Sequence, residues 1–189
     1  MRYADDFVVL ARYIGEPIQS FLTELLEGKM GLTLNRKKTR ILDLRQEGAS
    51  LDFLSYTFRF DKSRKGRGRY LNQFPSSKAL KRRRAEVKAL TCRRSGLPLR
   101  KVVSELNRGL LSWGRYFCLG YPSQSFSDLD DYTRMRLGRF ARNRSQRPMK
   151  LPEGGNIYSW TRDLGLVRLA DPRVIAYLRG KSELPQAYR

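Results

Sequence analysis

Two adjacent carboxylates, Asp5 and Asp6, stand immediately before the apolar run Phe7-Val8-Val9-Leu10-Ala11. Adjacent carboxylates at a turn beside a strand can share hard divalent cations, and Mg²⁺ favours one or two carboxylates completed by water and substrate phosphates. A pair of such ions stabilises both the attacking and the leaving oxygen of an in-line phosphoryl transfer. The four residues Tyr3-Ala4-Asp5-Asp6 also make an ordinary solvated turn, so the pair by itself leaves both readings open. The chain has no histidine. His general bases, Ser-His and Cys-His nucleophiles and His-ligated zinc are thereby excluded, and any chemistry runs on carboxylates, Lys, Arg and metal.

The rest of the chain speaks of binding. Its 189 residues hold 39 Lys and Arg against 18 Asp and Glu, a net charge of +21. A hydrophobic share of 40% is enough for a packed core of one domain or two small ones. The charge is unevenly placed: residues 1–60 carry nine basic against eight acidic side chains, residues 61–189 thirty against ten. Within the second part, residues 62–108 hold sixteen basic and two acidic side chains. Of the basic residues 28 are Arg and 11 Lys. Arg forks onto phosphate and stacks on bases, so the excess favours a nucleic-acid partner over a merely soluble surface. Cys92 and Cys118 lack Cys-x-x-Cys spacing and read as reduced packing thiols. The sequence has no apolar run near the roughly 18 residues of a membrane span; the expectation is a soluble, cytoplasmic protein without a membrane partner.

These residues need elements to place them. The aspartates precede a short β-branched run that predicts a tight turn feeding a buried strand. Pro17 opens an amphipathic helix with Ile18, Phe21, Leu22, Leu25 and Leu26 on one face and Gly28 and Gly31 as stops. Residues 32–44 predict two short extended stretches around Asn35-Arg36-Lys37-Lys38, and Leu54, Tyr56, Phe58 and Phe60 alternate as a half-buried strand. Residues 61–70 read as an exposed hairpin tip or linker. Beyond it the period becomes helical. Ser76 or Ser77 caps a helix with Leu80, Val87 and Leu90 inside and Lys81–Arg84 mostly outside. A second helix follows Pro98, runs through Leu106, Leu110, Trp113 and Phe117, and ends at Gly120. Ser127 with Asp130 resembles a capping box opening a third helix. The tail, with Trp160, Leu164, Leu166, Val167, Leu169 and Ile175, straps onto this three-helix bundle.

The stretch Arg2-Tyr3-Ala4-Asp5-Asp6-Phe7-Val8-Val9-Leu10 resembles the polymerase active-site motif of group II intron reverse transcriptases. The likeness continues in order. Gly31-Leu32-Thr33-Leu34-Asn35 with Lys38-Thr39 is similar to the family's next block, and Phe53-Leu54-Ser55-Tyr56-Thr57-Phe58 resembles the strand that grips the primer end, with Ser55 where the family usually has Gly. Ser112-Trp113-Gly114-Arg115-Tyr116-Phe117 and the helix after it look like the thumb, or maturase domain, which in this family binds intron RNA.

The resemblance implies an α+β chain: a partial palm of antiparallel strands with one packed helix over residues 1–60, a linker or hairpin over 61–75, and a basic helical thumb over 76–189. It implies Asp5 and Asp6 as Mg²⁺ ligands, Lys38 as a contact or proton donor for the departing phosphate, and Phe53, Leu54, Ser55 and Tyr56 as the primer grip. The family's first aspartate and its fingers lie upstream of the motif that opens this sequence. The expectation is therefore a C-terminal portion that is not polymerase-competent alone; the alternatives are a non-catalytic RNA-binding or splicing-cofactor module, a partner to a separate chain that supplies fingers and palm, and a gene remnant. Intron RNA and an RNA–DNA primer-template are the implied partners. Phosphate grip falls to Arg82, Arg83, Arg84, Arg93, Arg94, Arg115, Arg134, Arg136, Arg139 and Arg142. Tyr70, Phe74, Tyr116, Tyr121 and Tyr132 are candidates to stack on unpaired bases, with core packing the alternative for each.

Overall fold

The computed structural model describes residues 2–3, 6–63, 66, 68–92, 96–143 and 156–188. It is α+β, with a three-stranded antiparallel sheet followed by a helical bundle.

A small hairpin opens the chain, β1 (Arg2–Tyr3) against β2 (Asp6–Phe7), with Arg2 opposite Phe7 and Tyr3 opposite Asp6. The turn expected at the aspartates falls on residues 4 and 5, outside the described residues; the buried strand expected after it is not formed. Phe7, Val9 and Leu10 are exposed, and residues 8–11 form no strand. A β-branched run settles into a buried strand only where a neighbouring surface covers it, and the sheet of residues 50–75 takes up none of residues 7–11. Helix α1 (Glu16–Thr23) begins with Pro at its first turn and continues as a wider π-helical segment, Glu24–Lys29, through Gly28. Its apolar residues are half-buried or exposed. Residues 32–44 hold the expected turn, at 36–38, but neither of the two extended stretches expected around it forms a strand.

Strands β3 (Ser50–Phe53), β4 (Tyr56–Lys62) and β5 (Arg69–Pro75) form the sheet in that order. The two-residue turn Leu54-Ser55 sets Phe53 opposite Tyr56, and β5 runs back from Lys62↔Arg69 to Tyr56↔Pro75. The 61–75 span is thus a hairpin whose two arms belong to the sheet.

The bundle follows from helical periodicity and good caps. In α2 (Ser77–Leu90) the Ser76 side chain accepts the Ala79 N–H at 3.3 Å. In α3 (Leu99–Phe117) Val102, Val103, Leu106, Leu110 and Phe117 line one buried stripe. Helix α4 (Ser123–Asn143) starts four residues before the expected capping box, which places Ser127 inside the helix and frees Asp130 for another task. Two short helices, α5 (Ile157–Asp163) and α6 (Pro172–Leu178), strap across it as expected, with Leu166, Val167, Leu169, Val174 and Leu178 buried. Trp113 is half-buried against this core, 4.6 Å from Phe117 and 5.8 Å from Phe126 between ring centres. Each fully buried Leu or Phe contributes roughly 1.5–3 kcal/mol of transfer free energy, so the helices and their strap carry most of the hydrophobic stabilisation. Both cysteines are free; Cys118 is buried as expected, whereas Cys92 is exposed just past the end of α2.

Candidate nucleic-acid interface

The β3–β4 turn brings Phe53, Leu54, Ser55 and Tyr56 together at one end of the sheet. Leu54 and Ser55 both have positive φ, 50° and 65°. That backbone matches the right-handed twist of a two-residue hairpin, but it is one that side-chain-bearing residues rarely adopt. The turn is held by the helices. The Ser55 carbonyl accepts the Ser76 N–H at 2.8 Å, the Leu54 carbonyl accepts the Tyr116 hydroxyl at 3.1 Å, and the Tyr56 hydroxyl donates to the Tyr116 carbonyl. Burial, with Cys118 and Tyr116 adding to it, pushes the Tyr56 phenol up to about 12, so it stays a donor. Sheet and bundle are thus pinned at this turn.

The arginines divide by what they touch. Arg82 is 86% exposed at its side chain, with Glu86 a loose 3.6 Å away. Lys81 and Arg82 are exposed, as expected of a stretch mostly outside, and Arg83 is the exception, turned inward. It falls three residues after Leu80 and four before Val87, on the buried stripe of α2, and its guanidinium lies against Gly109 of α3, where a Cβ would collide with it. Its Nη1 donates to Glu86 at 2.5 Å, while Nε and Nη2 are buried without a hydrogen-bond partner. Arg84 stacks 5.5 Å over Tyr132 of α4. Arg136 reaches back from α4 to the end of α2 and donates to Thr91 Oγ1 and to the Lys88 and Thr91 carbonyls, which closes that helix. Arg134 pairs with Asp131 and lies 4.6 Å over Tyr158. Arg139 and Arg142 occupy the exposed stripe of α4, with Arg142 Nε donating to the Gly138 carbonyl at 3.3 Å. Arg93 and Arg94 lie outside the described residues.

Two anchors escaped the sequence reading. Arg179, past α6, donates to the Cys118 and Gly120 carbonyls and so caps α3. Asp130 is buried and accepts the Leu169 and Ala170 N–H groups at 2.9 Å each, fastening the strap to α4. Burial pushes its carboxyl up to about 6 despite those bonds and the nearby Arg134 and Arg168. An Asp in mid-helix on the same stripe as Phe126, Thr133 and Leu137 is the signal that could have found it.

Among the stacking candidates, Tyr116 and Tyr121 keep exposed rings, Tyr121 edge-on to Tyr70 at 5.3 Å, whereas Phe74 sits under Arg59 and Tyr132 under Arg84. Lys38 is exposed in a turn closed by Asn35, and its described hydrogen bonds are local to that turn. Asp5 lies outside the described residues, and Asp6 is described by its backbone alone, opening β2 opposite Tyr3. Two adjacent hard carboxylates suit Mg²⁺ in donor type. Among the described residues no group of three or more Cys, Asp and Glu is placed to hold a metal. Among the described residues, no helix is long and apolar enough to cross a membrane.

The family model described as the group II intron, maturase-specific domain matches residues 80–152. The match runs from α2 through α3 and α4; the sheet before it and the strap helices after it lie outside. No curated protein matches the chain.

Proposed function

We propose, taking residues 80–152 as the group II intron maturase-specific domain that they match, that the chain binds intron RNA through the outward basic side chains of its helices. The observation that carries this is the charge of the matched segment. It has eighteen Lys and Arg against five Asp and Glu, a net of +13. Arg83 and Arg136 are used up within the bundle, yet Arg82, Arg139 and Arg142 remain exposed. Such side chains contact phosphates and release counterions, so binding is steep in salt.

In the same reading the β1–β2 hairpin contributes Asp5 and Asp6 to a Mg²⁺ site for nucleotidyl transfer, another polypeptide supplies the remaining ligand, and the β3–β4 turn lies at a primer end of an RNA–DNA primer-template. Support for this part is the donor type of the two carboxylates and the pinned turn. The magnesium when bound would offset charge on phosphate oxygens; this chain's own share is to hold two carboxylates at a hairpin.

The test is the salt dependence of binding to a structured intron RNA by the full chain. Replacing Arg82, Arg139 and Arg142 together by Gln is expected to lower the log–log salt slope by about 3, roughly 1 per lost contact. Asp5→Asn with Asp6→Asn should leave affinity unchanged, since neither grips phosphate in this reading. An unchanged slope in the arginine variant would rule the proposed interface out.

A further inference from the structure

We propose that the open groove between α3 and α6 is a stacking site for an unpaired base of single-stranded RNA, with Arg115 as the contact and Tyr177 as the residue that positions it. The proposal rests on the RNA-binding reading and adds the form of RNA taken at this site. One wall of the groove lies beyond the matched domain, because Tyr177 belongs to α6.

The groove has a volume of about 710 Å³ and is lined by Arg108, Leu111, Ser112, Arg115, Tyr116 and Tyr177. Pockets that hold small organic ligands occupy roughly 300–1,000 Å³, so a base with its sugar fits. Arg108, Leu111 and Arg115 recur at three and four residues along α3 and therefore share one stripe. None of the lining residues is acidic. Arg108 is paired with Glu105, but among the described residues no carboxylate lies within ion-pair distance of Arg115.

Arg115 is instead held by an aromatic ring. Its Nη2 donates to the Tyr177 hydroxyl at 3.2 Å, and its guanidinium lies 5.6 Å over the Tyr177 ring. The guanidinium plane is thus pre-oriented with its charge uncompensated, which lowers the entropic cost of stacking a base on its free face. Beside it Tyr116 is 53% exposed although its hydroxyl is fixed to the Leu54 carbonyl and its ring meets those of Tyr56 and Phe117, so a second aromatic surface is held in place and left partly open. A fixed cationic plane and a fixed ring, both open to solvent in an acid-free groove, match the way unpaired bases are bound. A base within a duplex has both faces stacked on its neighbours and cannot enter.

The experiment uses the full chain, a short single-stranded RNA carrying 2-aminopurine, and a blunt duplex of the same sequence. The wild type is expected to quench 2-aminopurine in the single strand. Arg115→Ala should lower single-strand affinity about five- to hundredfold, in line with base-stacking losses, abolish the quenching and change duplex affinity less than about twofold. Arg115→Lys, which keeps the charge and loses the plane, should retain duplex binding without quenching. Tyr177→Phe, which keeps the ring and loses the hydroxyl, should reduce the quenching amplitude while leaving the circular dichroism of the helices unchanged. Equal losses on both RNAs, or quenching that persists in Arg115→Ala, would overturn the stacking role. Should the wild type bind neither RNA, the RNA-binding reading falls with it; should it bind both while the variants behave as wild type, the groove alone falls.

Discussion

Residues 6–49 and residues 76–188 both contain helices with an apolar face, yet only the second region buries what it carries. Among the described residues before β3 the single buried one is Gly15, while Phe7, Leu10, Phe21, Met30, Leu32 and Ile41 are exposed. In the bundle, Leu106, Leu110, Phe126, Leu129 and Leu137 are wholly buried. The difference teaches that periodicity reports which face is apolar, whereas burial depends on a partner surface that periodicity does not specify. The bundle supplies its own partners through three mutually packed helices and a strap.

The sharpest way to break this comparison is to remove one large side chain from each region. Phe126→Ala should destabilise the bundle by about 3–5 kcal/mol, through lost transfer energy and the cavity left behind. Phe21→Ala, at a ring 60% exposed, should change stability by no more than about 0.5 kcal/mol. Urea unfolding followed by circular dichroism reads both. Comparable losses in the two variants would mean that α1 is packed as well as α4 is.

A second handle lies in the bond that fastens the strap. Asp130 titrates near 6 in the fold against an ordinary 3.8, so the folded state holds a proton that the unfolded state releases. Stability therefore rises as pH falls from 7 through 6 towards 4, by up to about 3 kcal/mol. Below that window the trend reverses, because a hydrogen bond from the Arg173 side chain holds Asp171 below the usual carboxylate range, and its contribution is lost on protonation. Asp130→Asn should flatten the rise between pH 7 and 4.5. A variant with the wild-type profile would place the titration elsewhere.

What the sequence made legible follows the range of each signal. Helix α3 was readable because its stripe from Val102 to Phe117 and the Gly120 stop are local, as was the Ser76 cap. The ordered blocks likewise pointed to the maturase-type helices. The roles of Arg136 and Arg179 were not readable, since each closes a helix remote in sequence, 45 and 61 residues from its acceptors. Arg83 is the intermediate case. Its spacing from Leu80 and Val87 put it on the inner stripe, but its charge argued for solvent, and the cavity beside Gly109 that accepts it exists only once α2 meets α3. A row of arginines thus became two classes, and only the exposed ones remain candidates for phosphate.

The smallest expected effect sits on the boundary between the two regions, at the Leu54-Ser55 turn. Ser55 adopts φ 65°, a conformation that costs an ordinary L-residue about 1–2 kcal/mol and glycine nothing. Glycine forfeits part of that gain by making the unfolded chain more flexible, by about 0.5–1 kcal/mol, so Ser55→Gly should stabilise the protein by no more than about 1.5 kcal/mol. The carbonyl of residue 55 still accepts the Ser76 N–H after the change, so the pin between sheet and bundle survives. The same substitution in a relaxed helix should go the other way, with exposed Ala85→Gly in α2 costing about 1 kcal/mol. Opposite signs in chemical denaturation would show that the turn is held in its strained form by the helices that grip it; destabilisation in both would mean that the serine side chain, and not its backbone, secures the turn.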